Sequence, residues 1–262
     1  MRKLWIAIAV AAVVVIGAGA FIYFVVFPND SPPPLTLSTT GTTVAAGSPA
    51  TTGAGASSDP SVTSPDGSAD ASSSDAGVAI TADNLAGTWK VTDGSIAGYR
   101  VREKLAQLPA KSDAVGRTSD VTGTVTIDGS GSAFTATAAD VSVDVTTLVS
   151  NSDRRDGQIK RRGLQTDTFP TATFKLTQPA TIPAEALNGS PVTVQARGDM
   201  TIHGVTKSVT IPLQTQINGD KVEIVGSLTF PMSDFGIEPP TIAGIVDVES
   251  NATLEFQVFL AK

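Results

Sequence analysis

The chain has 262 residues, with 18 Lys and Arg, 25 Asp and Glu, one His and no Cys, giving a formal net charge of −7. So acidic a chain lacks the cationic field that holds polyanions by counterion release, so nucleic acid is not an expected partner. The missing thiols exclude disulfides, thiolate metal sites, a cysteine nucleophile and a lipid-modified N-terminal cysteine.

The charge is divided unevenly: residues 1–27 carry +2, residues 28–82 carry −5 and residues 83–262 carry −4. From Leu4 to Phe27 there are 24 consecutive uncharged residues, 14 of them Leu, Ile, Val or Phe. At about 1.5 Å per residue a helix of that length spans roughly 36 Å, enough to cross a bilayer core with some tilt. Arg2 and Lys3 precede the run and Asp30 follows it, so the positive-inside rule predicts a single-pass signal-anchor in the cytoplasmic membrane, N-terminus inside. The competing reading is a signal peptide cleaved after Ala18-Gly19-Ala20. Cleavage there would leave seven apolar residues, Phe21 to Phe27, as the new terminus in water.

Residues 28–82 are almost wholly Ser, Thr, Gly, Ala, Pro and Asp. So little apolar surface cannot offset chain entropy, and the segment is expected to be a disordered linker. A coil of 55 residues has an r.m.s. span of roughly 40 Å.

From Asp83 to Lys262 the pattern has a period of two. Val246, Val248, Ala252, Leu254, Phe256, Val258 and Leu260 alternate with Asp247, Glu249, Asn251, Thr253, Glu255 and Gln257, which reads as a strand with one dry and one wet face. The same alternation recurs at Val121–Ile127, Val141–Val145, Ala172–Leu176, Val192–Ile202, Val209–Leu213 and Val222–Phe230, with shorter runs at Thr88–Val91 and Ile96–Arg102. Asp128-Gly129, Asn188-Gly189, His203-Gly204 and Asn218-Gly219-Asp220 are the expected turns. The prediction is an all-β, antiparallel domain of about eight strands, closed as a barrel or packed as a two-sheet sandwich.

Ser150–Thr168 lacks that period and is expected to be a short helix or ordered loop, with Ser150 and Asp153 as a loose capping box. Five Lys and Arg against two Asp within 153–162 make it the one basic stretch of an acidic domain. It is either a solvated, ion-paired face or an anion site across one mouth of a barrel, with Arg154 and Arg155 as head-group candidates. His203 is the only histidine. It reads as a turn residue bonded to backbone, or else as a third head-group or catalytic group. No metal-ligand spacing and no phosphate-cradling loop is present, so no cofactor, no metal and no enzymatic activity are expected.

Several motifs in order then resemble the YceI-like family. They are Gly87-Thr88-Trp89, VTGTVTI at 121–127, VSVD at 141–144, RRD at 154–156, TFPTATF at 168–174, GDMTIHGVTK at 198–207 and LTFPMSDFGI at 228–237. The resemblance covers about 87–262. It implies a lipocalin-like barrel whose apolar interior holds a polyisoprenoid, with no established catalytic machinery. Phe174, Met200, Ile202, Leu228, Phe230, Leu254 and Phe256 are the expected pocket lining, with plain core as the alternative for each. The stretch 99–117 departs from the family pattern and is expected to reshape the pocket entrance.

Together these observations predict an extracytoplasmic barrel at 83–262. It would be tethered through Leu4–Phe27 and would sequester or transfer an isoprenoid or similar amphiphilic lipid. A protein- or cell-wall-binding ectodomain that uses the barrel as a scaffold is the alternative.

Overall fold

A computed structural model of the chain describes residues 31–38, 78–105, 111–239 and 246–262. The expected span Leu4–Phe27 lies outside these. Among the described residues no helix is long and apolar enough to cross a membrane.

Ten strands form one antiparallel sheet: β1 (Gly87–Leu105), β2 (Lys111–Thr118), β3 (Val121–Ser130), β4 (Ala133–Asp144), β5 (Thr171–Leu176), β6 (Ala180–Ile182), β7 (Val192–Ile202), β8 (Val205–Asn218), β9 (Lys221–Pro231) and β10 (Val246–Ala261). The order runs β10-β9-β8-β7-β5-β4-β3-β1, and β10 pairs back onto β1. The sheet is therefore a closed eight-strand barrel and not a sandwich. β2 and β3 share one edge of β1, and β5 and β6 share one edge of β4.

The two short runs predicted at 88–91 and 96–102 belong to a single strand. β1 bulges between Thr92 and Ile96. There the Ser95 hydroxyl donates to the Thr92 carbonyl at 2.7 Å and accepts from the Phe259 amide at 3.0 Å, so a side chain partners the strand opposite where the ladder is interrupted. The expected turn at Asp128-Gly129 is corrected as well. Both residues remain in β3, and the hairpin turns three residues later at Gly131-Ser132, where Gly131 has φ +62°. Of two glycines so close together, the chain turned at the one flanked by serines.

Alternation along β10 matches the prediction, with Leu254, Phe256, Val258 and Leu260 facing the interior cavity. Two apolar clusters close the barrel. One gathers Leu85, Trp89, Phe134 and Leu260 with Ile80; Trp89 donates its indole N–H to the Leu85 carbonyl at 2.9 Å. The other gathers Met200, Met232, Phe235, Ile237 and Ala252.

The linker prediction needs revision at both ends. Ile80 is buried in the first cluster and its amide donates to the Gly219 carbonyl at 3.0 Å. Residues 31–38 cross the outside of the wall, bonded to β2, β1, β10 and β9. Composition counted their few apolar atoms and could not register the polar contacts that hold them. Residues 39–77 lie outside the described residues.

Trp89 is 2% exposed, so Trp89→Ala should cost about 3–5 kcal/mol. Urea unfolding measures this, and a loss under about 1 kcal/mol would mean the plug at this end is not part of the core.

Candidate functional site

The barrel interior holds a cavity of about 170 Å³. Among the described residues, Thr173 and Thr215 are the only polar ones in its lining. Phe174, Met200, Ile202, Leu254 and Phe256 all face it. Leu228 and Phe230 do not: they lie further along the inward face of β9 and pack into the second apolar cluster, where Phe230 meets Phe235 edge-on at 5.0 Å.

The large side chains do not make the void. Ala97, Ala136, Ala139, Ala172, Ala180 and Ala196 also line it, small side chains that hydrophobic bulk alone does not mark. Two rings are held against the wall by glycines. A Cβ on Gly226 would lie 2.4 Å from Phe256 Cζ, and one on Gly198 would lie 2.5 Å from Phe174 Cζ. The ring covers the backbone where its neighbour has no side chain. Gly226 is the direct cross-strand partner of Phe256. This pairing was present in the sequence, but only knowledge of the register makes it visible.

The basic segment folds as α1 (Asp153–Gln158), followed by one π-helical turn to Gly163. Its cap is Ser152, whose side chain accepts from the Arg155 amide, and not Ser150. Ser150 instead bonds the Asp156 carboxylate through both its amide and its hydroxyl. Leu164, just beyond, packs against the second apolar cluster, so the segment lies at that end of the barrel.

Arg155 is committed to the protein. Its guanidinium forms a two-point bond to Glu103 at 3.2 and 3.3 Å and donates to Asn151 at 2.7 Å. Side-chain exposures of 14% and 11% for Arg155 and Glu103 mark a largely buried pair. Arg154, Arg161 and Arg162 are exposed, leaving three solvent-facing cations beside that end of the barrel. Tyr99 lies against Gly116 of β2 in the same polar cluster. Burial, aided by Asp156 and Glu103 and opposed by Arg155, pushes its phenol well above the ordinary value.

His203 and Gly204 both have positive φ, +52° and +73°, and form the tight β7–β8 turn. Nδ1 lies 3.1 Å from the Phe235 carbonyl and the ring meets Phe169 edge-on at 4.8 Å. Nε2 is buried with no hydrogen-bond partner among the described residues. Among the described residues neither ring nitrogen bonds a nucleophile or a carboxylate, and the backbone bond and positive φ agree with the turn reading. Among the described residues no cluster of His, Asp and Glu could hold a metal ion.

A sequence model described as the YceI-like domain matches residues 69–259. A UPF0312 protein of Vibrio cholerae serotype O1 is 29% identical over 121 residues, covering 44% of this chain and 60% of the relative. One from Vibrio parahaemolyticus serotype O3:K6 is 31% identical over 116 residues, covering 42% and 58%. The chain thus spans about 60% of the length of the curated relatives it matches. Among solved structures, BcnA of Burkholderia cenocepacia has 19% identity and a TM-score of 0.46, covering 63% of this chain and 96% of that one. A polyisoprenoid binding domain from Saccharophagus degradans has 15% identity and a TM-score of 0.48, covering 67% and 98%.

Two measurements check this site. Arg155→Ala strands the Glu103 carboxylate and should cost about 3–5 kcal/mol, whereas exposed Arg154→Ala should stay within about 0.5 kcal/mol in the same denaturant titration. The raised Tyr99 phenol contributes stability below its ordinary pKa of 10.0, which is lost as pH rises beyond that value because the unfolded chain releases a proton the folded chain keeps. Tyr99→Phe should therefore flatten the alkaline decline in stability above pH 10; an unchanged decline would mean the phenol titrates freely.

Proposed function

The chain belongs to the YceI-like family, and from that premise and its apolar interior we propose that it binds a polyisoprenoid or a similar long-chain amphiphile. The observation that carries this reading is the cavity, lined almost without polar atoms and enclosed by a closed wall. A site of that chemistry has nothing to offer a polar substrate, and each methylene-sized group it dries is worth about 0.8 kcal/mol.

At about 170 Å³ the cavity is close to the roughly 150 Å³ of an engineered apolar cavity that takes benzene. It accepts a short stretch of hydrocarbon as it stands, and a long tail enters by displacing interior side chains. Met200, unbranched and with adaptable rotamers, is the one best suited to yield. The exposed Arg154, Arg161 and Arg162 supply charge for an anionic head group at the adjacent end; Arg155 is ion-paired to Glu103, and His203 is held in the β7–β8 turn through Nδ1. In this reading Leu4–Phe27 anchors the chain in the cytoplasmic membrane, and the barrel lies on the extracytoplasmic side to sequester or hand over the lipid.

Native mass spectrometry of the purified full-length chain tests the proposal, with a long-chain isoprenoid expected to copurify. Ala139→Leu with Ala196→Leu should fill the cavity and lower lipid occupancy at least tenfold, with a stability change smaller than the roughly 1–3 kcal/mol of overpacking a filled core. A chain that carries no lipid, and whose double variant is destabilised by that full amount, would favour the scaffold reading.

A further inference from the structure

Outward-facing residues of a barrel meet water, so carboxylates there are normally exposed. Glu223 of β9 and Glu255 of β10 are instead 0% and 3% exposed. What covers them is an eight-residue run, Ser31-Pro-Pro-Pro-Leu-Thr-Leu-Ser38, that crosses four strands obliquely.

Its contacts form an ordered series. Ser31 donates its hydroxyl to the Asp113 carbonyl of β2. Arg100 of β1 donates to the Pro32 carbonyl at 2.8 Å, and Arg117 of β2 donates to the Pro33 carbonyl at 2.5 Å. Gln257 of β10 donates to the Thr36 carbonyl at 3.3 Å. The run ends at Ser38, whose amide and hydroxyl both donate to Glu223 Oε1 at 2.8 and 3.0 Å, and Gln257 reaches the same oxygen at 2.6 Å.

The chemistry of the two partners matches. Prolines have no N–H to satisfy, so their carbonyls are free to accept, and their fixed φ reduces the entropy lost on docking. Below them, Glu255 holds both arginines, at 3.3 Å to Arg100 and 2.7 Å to Arg117, and Arg100 Nη1 also bonds Asp113 at 3.3 Å, while the Nη2 of each arginine reaches a proline carbonyl. Glu223 Oε2 is buried without a partner among the described residues. Leaving a carboxylate so enclosed is costly unless the covering chain returns hydrogen bonds to it, and Ser38 returns two.

We propose that Arg100, Arg117, Gln257 and Glu223 form a clamp for the proline-rich run 31–38 of the same chain, and that the clamp fixes how far the barrel stands from residue 27. Four residue steps separate Phe27 from Ser31, a reach of at most about 14 Å. A free linker of 55 residues would have a span of roughly 40 Å. The barrel is thereby held close against whatever surface the apolar run occupies. That this surface is a bilayer rests on the anchor reading, whereas the clamp does not.

The chain contains no cysteine, so introduced pairs report cleanly. Leu35 and Ser227 line one crevice between the run and the wall. In the full-length chain in detergent micelles, Leu35→Cys with Ser227→Cys should crosslink within one chain through a short bismaleimide at least tenfold faster than Ala56→Cys with Ser227→Cys. Ser38→Asp, which sets a second carboxylate against Glu223, should slow that crosslink at least fivefold without lowering the melting temperature of the barrel. Replacing Pro32, Pro33 and Pro34 by Gly, which alters nothing in the wall, should slow it as well. Equal rates for the two pairs, crosslinks between chains, or rates indifferent to both sets of substitutions would overturn the clamp.

Discussion

The pairing of β1 with β10 is the constraint on which the rest depends. It joins the first strand of the domain to the last, so inside and outside are not defined until the chain is nearly complete. Once they are, every alternation along every strand acquires a meaning, and neither the first nor the last wall strand is left as an open edge. β1 meets this demand by bending, and the cost in backbone hydrogen bonding is offset by the Ser95 hydroxyl.

Closure also explains why the interior is not simply filled. Inward positions on eight staves converge on one axis, and residues of ordinary core size would leave no space. The wall answers with alanines and with rings seated over glycines. The void is thus a product of small residues placed opposite large ones. The ends are treated differently, with Trp89 and Phe134 at one and Met232 and Phe235 at the other. The polar cluster of Tyr99, Glu103 and Arg155 lies beneath α1, where a buried ion pair fixes the helical segment without adding to the apolar lining.

Period-two alternation made eight of the ten described strands and the inward face readable from sequence, but not β2 or the three-residue β6, and the ordered motifs made the family readable. Five of the seven expected lining residues face the cavity because alternation specifies a face. Leu228 and Phe230 do not because it specifies no depth along the strand. Arg155 stayed a head-group candidate beside the ion-paired reading because its partner, Glu103, is 52 residues away and is brought near by the β1 register. The run 31–38 was hardest to see. Its docking depends on two arginines and a glutamate that face outward, positions where charge is ordinarily a sign of solvent.

The clamp has a topological consequence. Ser38 is fixed at Glu223, and Ile80 is fixed at Gly219, four residues earlier in the chain. The Ser-, Thr- and Gly-rich stretch between them is therefore tied to one end of the barrel at both of its own ends. Under the proposed clamp, the length of that stretch does not enter the distance between Phe27 and the barrel. Doubling such a loop costs only about 0.6 kcal/mol in closure entropy. Insertions and deletions there should be nearly invisible to the fold, whereas any added among the three residues between Phe27 and Ser31 would lengthen the reach directly.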